Sequence, residues 1–148
     1  MRVRKATHDD IPWITGQLKD FAAFFGMTQS LYPDDVAASA GVADMVERHL
    51  VLIAADDEGE RLGLIAGLFH PHPYNAKLKY LTETFWWVDP SRRRSLAGAA
   101  LIDEFVIYGR EHADVVVMSL LANSPVNDET LEKRGFKLKE RSFVLEVR

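Results

Sequence analysis

The chain has 148 residues, of which 47% are hydrophobic and 27% charged, with a formal net charge of −4. That length suits one domain with a substantial core, and the acidic balance, with a pI near 5.7, argues against a general nucleic-acid binder. There is no cysteine, which excludes disulfides, thiolate catalysis and cysteine-based zinc sites. The start, MRVRKATHDD, lacks the apolar core of a signal peptide, and no apolar run approaches about 18 residues. The expectation is a cytoplasmic protein with no membrane span.

Taken in order, Arg2 to Ala6 reads as a first strand. Thr7 and Asp10 stand at capping-box spacing, with Asp where Glu or Gln is usual, and Pro12 suits a first helical turn. Trp13, Ile14, Gln17, Leu18, Phe21, Phe24 and Phe25 recur at helical spacing, and Gly26 ends the helix. A loop from Met27 to Tyr32 leads to Pro33, which opens a second, weaker helix running to about Arg48. Leu50 to Ala55 and Leu62 to Phe69 read as strands joined by the turn Asp56–Gly59. His70 to Asn75, with two prolines, reads as a loop. Lys79 to Val88 is a third strand of this group, Ser95 to about Arg110 a helix, and Val115 to Leu121 a β-branched strand. Asn127 to Arg134 is a short helix ended by Gly135, and Phe136 to Val147 a closing strand. The order is β-α-α-β-β-β-α-β-α-β in a single domain spanning 1–148, with no internal repeat.

Three consecutive arginines, Arg92, Arg93 and Arg94, sit between a strand and a helix of this acidic chain. The strand, helix and following strand form a parallel crossover. Ligands of such units favour the strand's carboxyl end and the amino end of the next helix, where unpaired N–H groups attract phosphate. Ala97, Gly98, Ala99 and Ala100 let backbone and ligand approach closely. The alternative is a solvated basic turn before a tightly packed alanine-rich helix. The stretch does not match G-x-x-x-x-G-K-[ST].

Element order and motifs together resemble the GNAT family of acetyl-CoA-dependent N-acetyltransferases. The family pattern, roughly V-x-P-x-x-R-G-x-G-x-G/A, is met by Val88, Pro90, Arg93 and Gly98, while Arg94 and Leu96 replace its first two glycines. Leu131-Glu132-Lys133-Arg134-Gly135-Phe136 is similar to the family's Y-E-K-L-G-F, with leucine for tyrosine. The resemblance spans almost the whole chain and looks most like bacterial and bacteriophage members. It implies a mixed, mostly antiparallel sheet with a splayed parallel strand pair.

It also implies a division of labour. Backbone N–H groups of Arg93, Arg94, Ser95, Leu96, Ala97, Gly98 and Ala99 would cradle the CoA pyrophosphate, and the guanidiniums would face the remaining phosphate charge. The strand end at Trp86, Trp87 and Val88 would pair with the pantetheine amides. Asn123 is either a hydrogen-bonding partner of cofactor or substrate, or a turn residue. The family's usual general acid is a tyrosine, and Leu131 stands in its place.

Transfer to an amine requires a group that takes a proton from the ammonium. Glu83, in the otherwise uncharged strand YLTETFWWV, is the leading candidate, because a partly buried carboxylate acquires a raised pKa. Its other reading is a solvent-facing side chain, and a bulge common in the family at this place would decide its face. His70 and His72 are the alternative bases, and no metal site is expected. Trp86 and Trp87 cannot both point inward on a regular strand, so one should line the cleft or an interface.

The expected activity is acetyl transfer from acetyl-CoA to a primary amine of a small molecule, peptide or protein, with a homodimer as one assembly option. The rivals are a CoA-binding module without turnover, and a protein whose arginines hold another phosphate ligand or a nucleic-acid backbone.

Overall fold

The computed structural model describes residues 1–147. Its sheet is ordered β1 (Arg2–Lys5), β2 (Leu50–Ala55), β3 (Arg61–His72), β4 (Asn75–Val88), β5 (Val115–Val117). The first three pairings are antiparallel and β4–β5 is parallel. One face carries α1 (Ile11–Phe24), the single-turn α2 (Thr28–Leu31) and α3 (Asp35–Arg48). The crossover helix α4 (Ala97–His112) covers the other face, and a short α5 (Asp128–Glu132) follows β5. This is the mixed α/β architecture the sequence suggests.

β2 is buried at every position because both faces of the sheet are covered. Val51 and Ile53 pack with Ile14, Phe21 and Val42 of the α1/α3 layer, and Leu50, Leu52 and Ala54 pack with Leu101 and Phe105 of α4. Where Phe105 crosses β3, residue 67 must be glycine-sized. A Cβ there would lie 2.6 Å from the Phe105 ring.

One buried charge joins three segments. Asp10, 1% exposed, accepts two bonds from Arg4 (2.7 and 2.9 Å), one from Arg61 (2.9 Å) and one from the Thr7 amide (2.8 Å). The Arg4 guanidinium, the Thr7 amide and Arg61 hold its carboxyl well below the usual carboxylate range, against the opposing effect of burial. The Thr7/Asp10 spacing read from the sequence thus belongs to a capping contact that also ties β1 to β3.

Several expected boundaries are corrected. The second helix begins at Asp35 rather than Pro33, because Asp34 caps it by accepting from the Ala37 amide at 2.7 Å. The expected loop 27–32 contains α2. His70–Asn75 is not an open loop: β3 continues to His72 and β4 begins at Asn75, leaving Pro73–Tyr74 as the turn. Pro71 is accommodated because the register shifts beside it. The crossover helix starts at Ala97 rather than Ser95.

The largest corrections lie near the C-terminus. β5 ends at Val117 instead of Leu121. The expected closing strand Phe136–Val147 forms no ladder among the described residues. Its last backbone bond to the body runs from the Phe136 amide to the Leu131 carbonyl, 3.3 Å, beyond which the described residues are exposed.

Candidate active site

The site is built by a bulge and a divergence. Ala66 pairs with Phe85 and Gly67 with Glu83, so Thr84 has no partner on β3. The extra residue reverses which face later side chains take. Leu81 packs on the α4 side, whereas beyond the bulge Phe85 and Trp87 pack on the α1 side and Trp86 on the α4 side. On its other edge β4 pairs with β5 only over Tyr80–Thr82 and Val115–Val117. Past that point the strands part, and the edge of β4 from Glu83 to Val88 is left without a neighbouring strand.

A cleft of about 760 Å³ occupies the gap. Its walls are Glu83–Thr84 and Trp86–Val88 of β4, Arg93, Ser95, Gly98 and Ala99 at the start of α4, Ser119–Ala122 and Ser124–Val126 after β5, Ser142 and Val144 near the C-terminus, and Phe21, Phe25, Met27 and Leu31 of the α1/α2 side. The structure therefore brings together Glu83, Trp86, Trp87, Val88, Arg93, Ser95, Gly98 and Ala99 of the residues expected from the sequence. It does not bring in the side chains of four others. Ala97 is fully buried in the core and Leu96 is 75% exposed. Arg94 and Asn123 do not border the cleft, although both neighbours of Asn123 do.

At the amino end of α4, the Ala97 amide donates to Ser95 Oγ at 3.3 Å and the Ala100 amide to the Leu96 carbonyl at 2.9 Å. The Gly98 and Ala99 amides belong to the first turn and have no intrahelical acceptor. A Cβ at residue 98 would lie 3.7 Å from Val88, which is ordinary contact, so glycine there keeps the cleft open rather than relieving a clash.

The arginines divide. Arg92 pairs with Glu60 at 2.7 Å. Arg93 donates from Nε to the Val88 carbonyl at 3.3 Å, and its guanidinium stands 4.9 Å from the ring centroids of both Phe24 and Trp87. It is stacked at the cleft mouth rather than pointing freely into solvent. Nε1 of Trp87, a residue only 3% exposed, has no acceptor among the described residues.

Glu83 is the only carboxylate bordering the cleft among the described residues. Burial pushes its carboxyl up to about 7, and the hydrogen bond from the Ser119 amide opposes the shift. His70 and His72 lie on the β3–β4 hairpin outside the cleft walls. His70 Nε2 is 2.7 Å from Thr82 Oγ1, and both imidazoles stand near the Tyr80 ring. Leu131 does not border the cleft, and neither does any tyrosine among the described residues: the Tyr32 and Tyr108 hydroxyls are engaged by Asp35 and Lys5.

Sequence reasoning placed Asn123 at the site but missed the wall on either side of it, Ser119–Ala122 and Ser124–Val126. The only signal was that residues following a parallel strand face its splayed neighbour. It also missed a second, apolar cavity of about 360 Å³ between α1, α3 and the sheet. Ile14, Leu18, Val42, Met45, Ala66 and Phe85 are among its lining residues, and Leu31 and Thr84 border both cavities.

No protein-family model and no curated protein matches the sequence. Solved structures do match the fold. A protein described as a probable acetyltransferase superposes with a TM-score of 0.81 at 18% identity, covering 100% of this chain and 99% of its own. A transcriptional regulator from Bacillus halodurans gives 0.79 at 17%, covering 98% of each chain. A predicted acetyltransferase with acetyl-CoA from Clostridium acetobutylicum gives 0.76 at 16%, covering 99% and 96%. At these identities the likeness is one of fold, so function must be argued from the site.

Proposed function

We propose that this chain, which has the fold of the GNAT acetyltransferases, is an acetyl-CoA-dependent N-acetyltransferase acting by direct transfer. The observation that carries the proposal is the position of Glu83: a carboxyl raised to about 7 in the cleft that opens where β4 and β5 part.

The cleft fits the cosubstrate on two counts. The edge of β4 from Glu83 to Val88 offers backbone groups with no neighbouring strand. The Gly98 and Ala99 amides form an anion site at the start of α4, with Arg93 alongside. Acetyl-CoA supplies an activated thioester. Glu83, ionised above about pH 7, takes the proton from the incoming ammonium through its carboxylate and leaves a neutral amine. With no tyrosine bordering the cleft among the described residues, the thiolate departs without a tyrosine proton donor, which the acidity of the CoA thiol allows.

The adjoining apolar cavity supports an acceptor whose amine sits by Thr84 and Glu83 and whose aliphatic or aromatic body passes between α1 and α3. The lack of a tyrosine acid equally suits a CoA-binding module without turnover. The test has two parts. Acetyl-CoA at a hundredfold excess over its dissociation constant should stabilise the fold by roughly 2.7 kcal/mol, where free phosphate or oligonucleotide does not. Thiol release should then depend on an added amine and favour apolar ones. Stabilisation without thiol release across an amine panel identifies the module, and no stabilisation rejects the proposal.

A further inference from the structure

Thr84 and Leu31 border both the cleft and the apolar cavity, so the second space adjoins the place where Glu83 meets the amine. From there it runs along α3. Ala37, Gly41 and Met45 line it at four-residue intervals, on one face of that helix. Ala38, Val42, Val51 and Ala66 are buried along it, whereas Ala37 and Gly41 are exposed. The cavity therefore has an inner end at Thr84 and an outer end at Ala37 and Gly41.

Two observations mark it as a binding space rather than a packing void. Glycine weakens a helix interior, yet Gly41 has neither a positive φ nor a close neighbour to require it: a Cβ at residue 41 would meet nothing within 4 Å. Its effect is to leave the outer end open. Size is the other. An apolar void of roughly 150 Å³ already holds a benzene-sized molecule, and about 360 Å³ falls within the roughly 300–1,000 Å³ of small-molecule sites. The lining also selects. No charged side chain borders the cavity among the described residues, and Thr84 supplies the one side-chain hydroxyl. A second ammonium, a carboxylate or the hydroxyls of a sugar would lie there unpaired, having lost their hydration.

We infer that the acceptor is an amphiphilic primary monoamine, an inference that rests on the transferase reading above. Its nitrogen lies beside Glu83, and an uncharged apolar tail of several carbons fills the cavity toward Gly41. The same lining excludes amino acids, polyamines and aminosugars. In the transfer, the nitrogen bonds to the acetyl carbon, the carbon–sulfur bond breaks with its electron pair on sulfur, and the ammonium proton ends on Glu83.

The test is a series of linear alkylamines from propylamine to decylamine with acetyl-CoA, beside calorimetric titration of acetyl-CoA alone. kcat/KM should rise about three- to fourfold per methylene and level off once the tail reaches Ala37 and Gly41, where further carbons enter water. Diaminobutane, with an ammonium at each end, should fall on the order of a hundredfold or more below butylamine. Gly41→Leu should bind acetyl-CoA as the parent does, melt no lower, since leucine favours a helix interior, and flatten the series. Met45→Ala, which widens the cavity, should improve branched tails relative to linear ones. A Gly41→Leu protein that melts higher while its series stays as steep as the parent's identifies a packing void and overturns the inference. With acetyl-CoA bound, so does a rate that does not rise with chain length, or no turnover of any alkylamine. Absent acetyl-CoA binding overturns the transferase reading itself, and the inference with it.

Discussion

The guanidinium of Arg93 lies 4.9 Å from the Trp87 ring and 4.9 Å from the Phe24 ring, with its Nε donating to the Val88 carbonyl. One side chain thereby ties the anion loop, the strand edge and the end of α1. An anionic ligand at the loop competes for this guanidinium, which stacks on the indole in the free protein. Acetyl-CoA titration should change tryptophan emission. Arg93→Ala should weaken acetyl-CoA by on the order of 1–3 kcal/mol, the range for a charged hydrogen bond. Arg93→Lys should recover part of the affinity, because it restores charge without the planar stack. Calorimetric titration of the three proteins checks this, and equal affinities would remove Arg93 from the site.

Glu83 ties activity to stability with opposite demands. Its carboxyl titrates near 7 in the folded chain, above its ordinary value of 4.5, so the folded state holds the proton more tightly than the unfolded state. Stability from this group is fully present below about pH 4.5 and is lost as pH rises through about 7. Glu83→Gln should therefore gain stability relative to the parent between pH 5 and pH 8, on the order of 1–3 kcal/mol. The same variant should lose about 10²–10⁴-fold in rate, the range for a positioned base. That loss should shrink at high pH, where the amine is already neutral. Melting curves at both pH values and one pH–rate profile with an accepted amine test the two claims separately.

Asp10 has the opposite sign. Its carboxyl is held below the usual range by Arg4, Thr7 and Arg61. Its contribution is present above the unfolded carboxylate pKa and is lost as pH falls through the lower folded value. Asp10→Ala leaves two arginines without their shared partner. It should cost about 3–5 kcal/mol, as removal of one member of a buried ion pair does. Denaturant midpoints at pH 7 give the figure, and a change under about 1 kcal/mol would mean the arginines are satisfied by water.

Two glycines separate packing from function. A Cβ at Gly67 would lie 2.6 Å from Phe105 and 2.8 Å from Leu81, so Gly67→Ala should destabilise by about 1–3 kcal/mol through overpacking. A Cβ at Gly98 meets nothing closer than 3.7 Å. Gly98→Ala should leave the melting temperature nearly unchanged, which makes residue 98 usable for probing the ligand alone.

The elements that bury a face were legible in the sequence. The spacing of Ile14, Leu18 and Phe21 gave α1, and the unbroken apolar run Leu50–Ala55 gave a strand, which the structure buries on both faces. Glu83 was legible as a lone charge in an apolar strand. Its face was not, since the bulge at Thr84 that sets it leaves no local signature. Arg93 was readable as charge, but its stacking on Trp87 and Phe24 depends on where α1 ends in space. Phe136–Val147 has the composition of a strand, yet a strand also needs an edge to join, and which edge that is lies outside local sequence. The apolar cavity was invisible because Ile14, Val42, Met45 and Phe85 come together only after the α1 and α3 layers pack on the sheet.

The central claim is that the gap between β4 and the run after β5, closed by the amides of Gly98 and Ala99, holds acetyl-CoA. Isothermal titration of the parent protein and of Gly98→Glu with acetyl-CoA tests it most directly. The glutamate sets bulk and negative charge against the anion site at a position whose stability can be controlled with Gly98→Ala. The expected result is one acetyl-CoA per chain for the parent and for Gly98→Ala, with binding abolished in a folded Gly98→Glu. No binding by the parent, or an affinity unchanged by the glutamate, would contradict it.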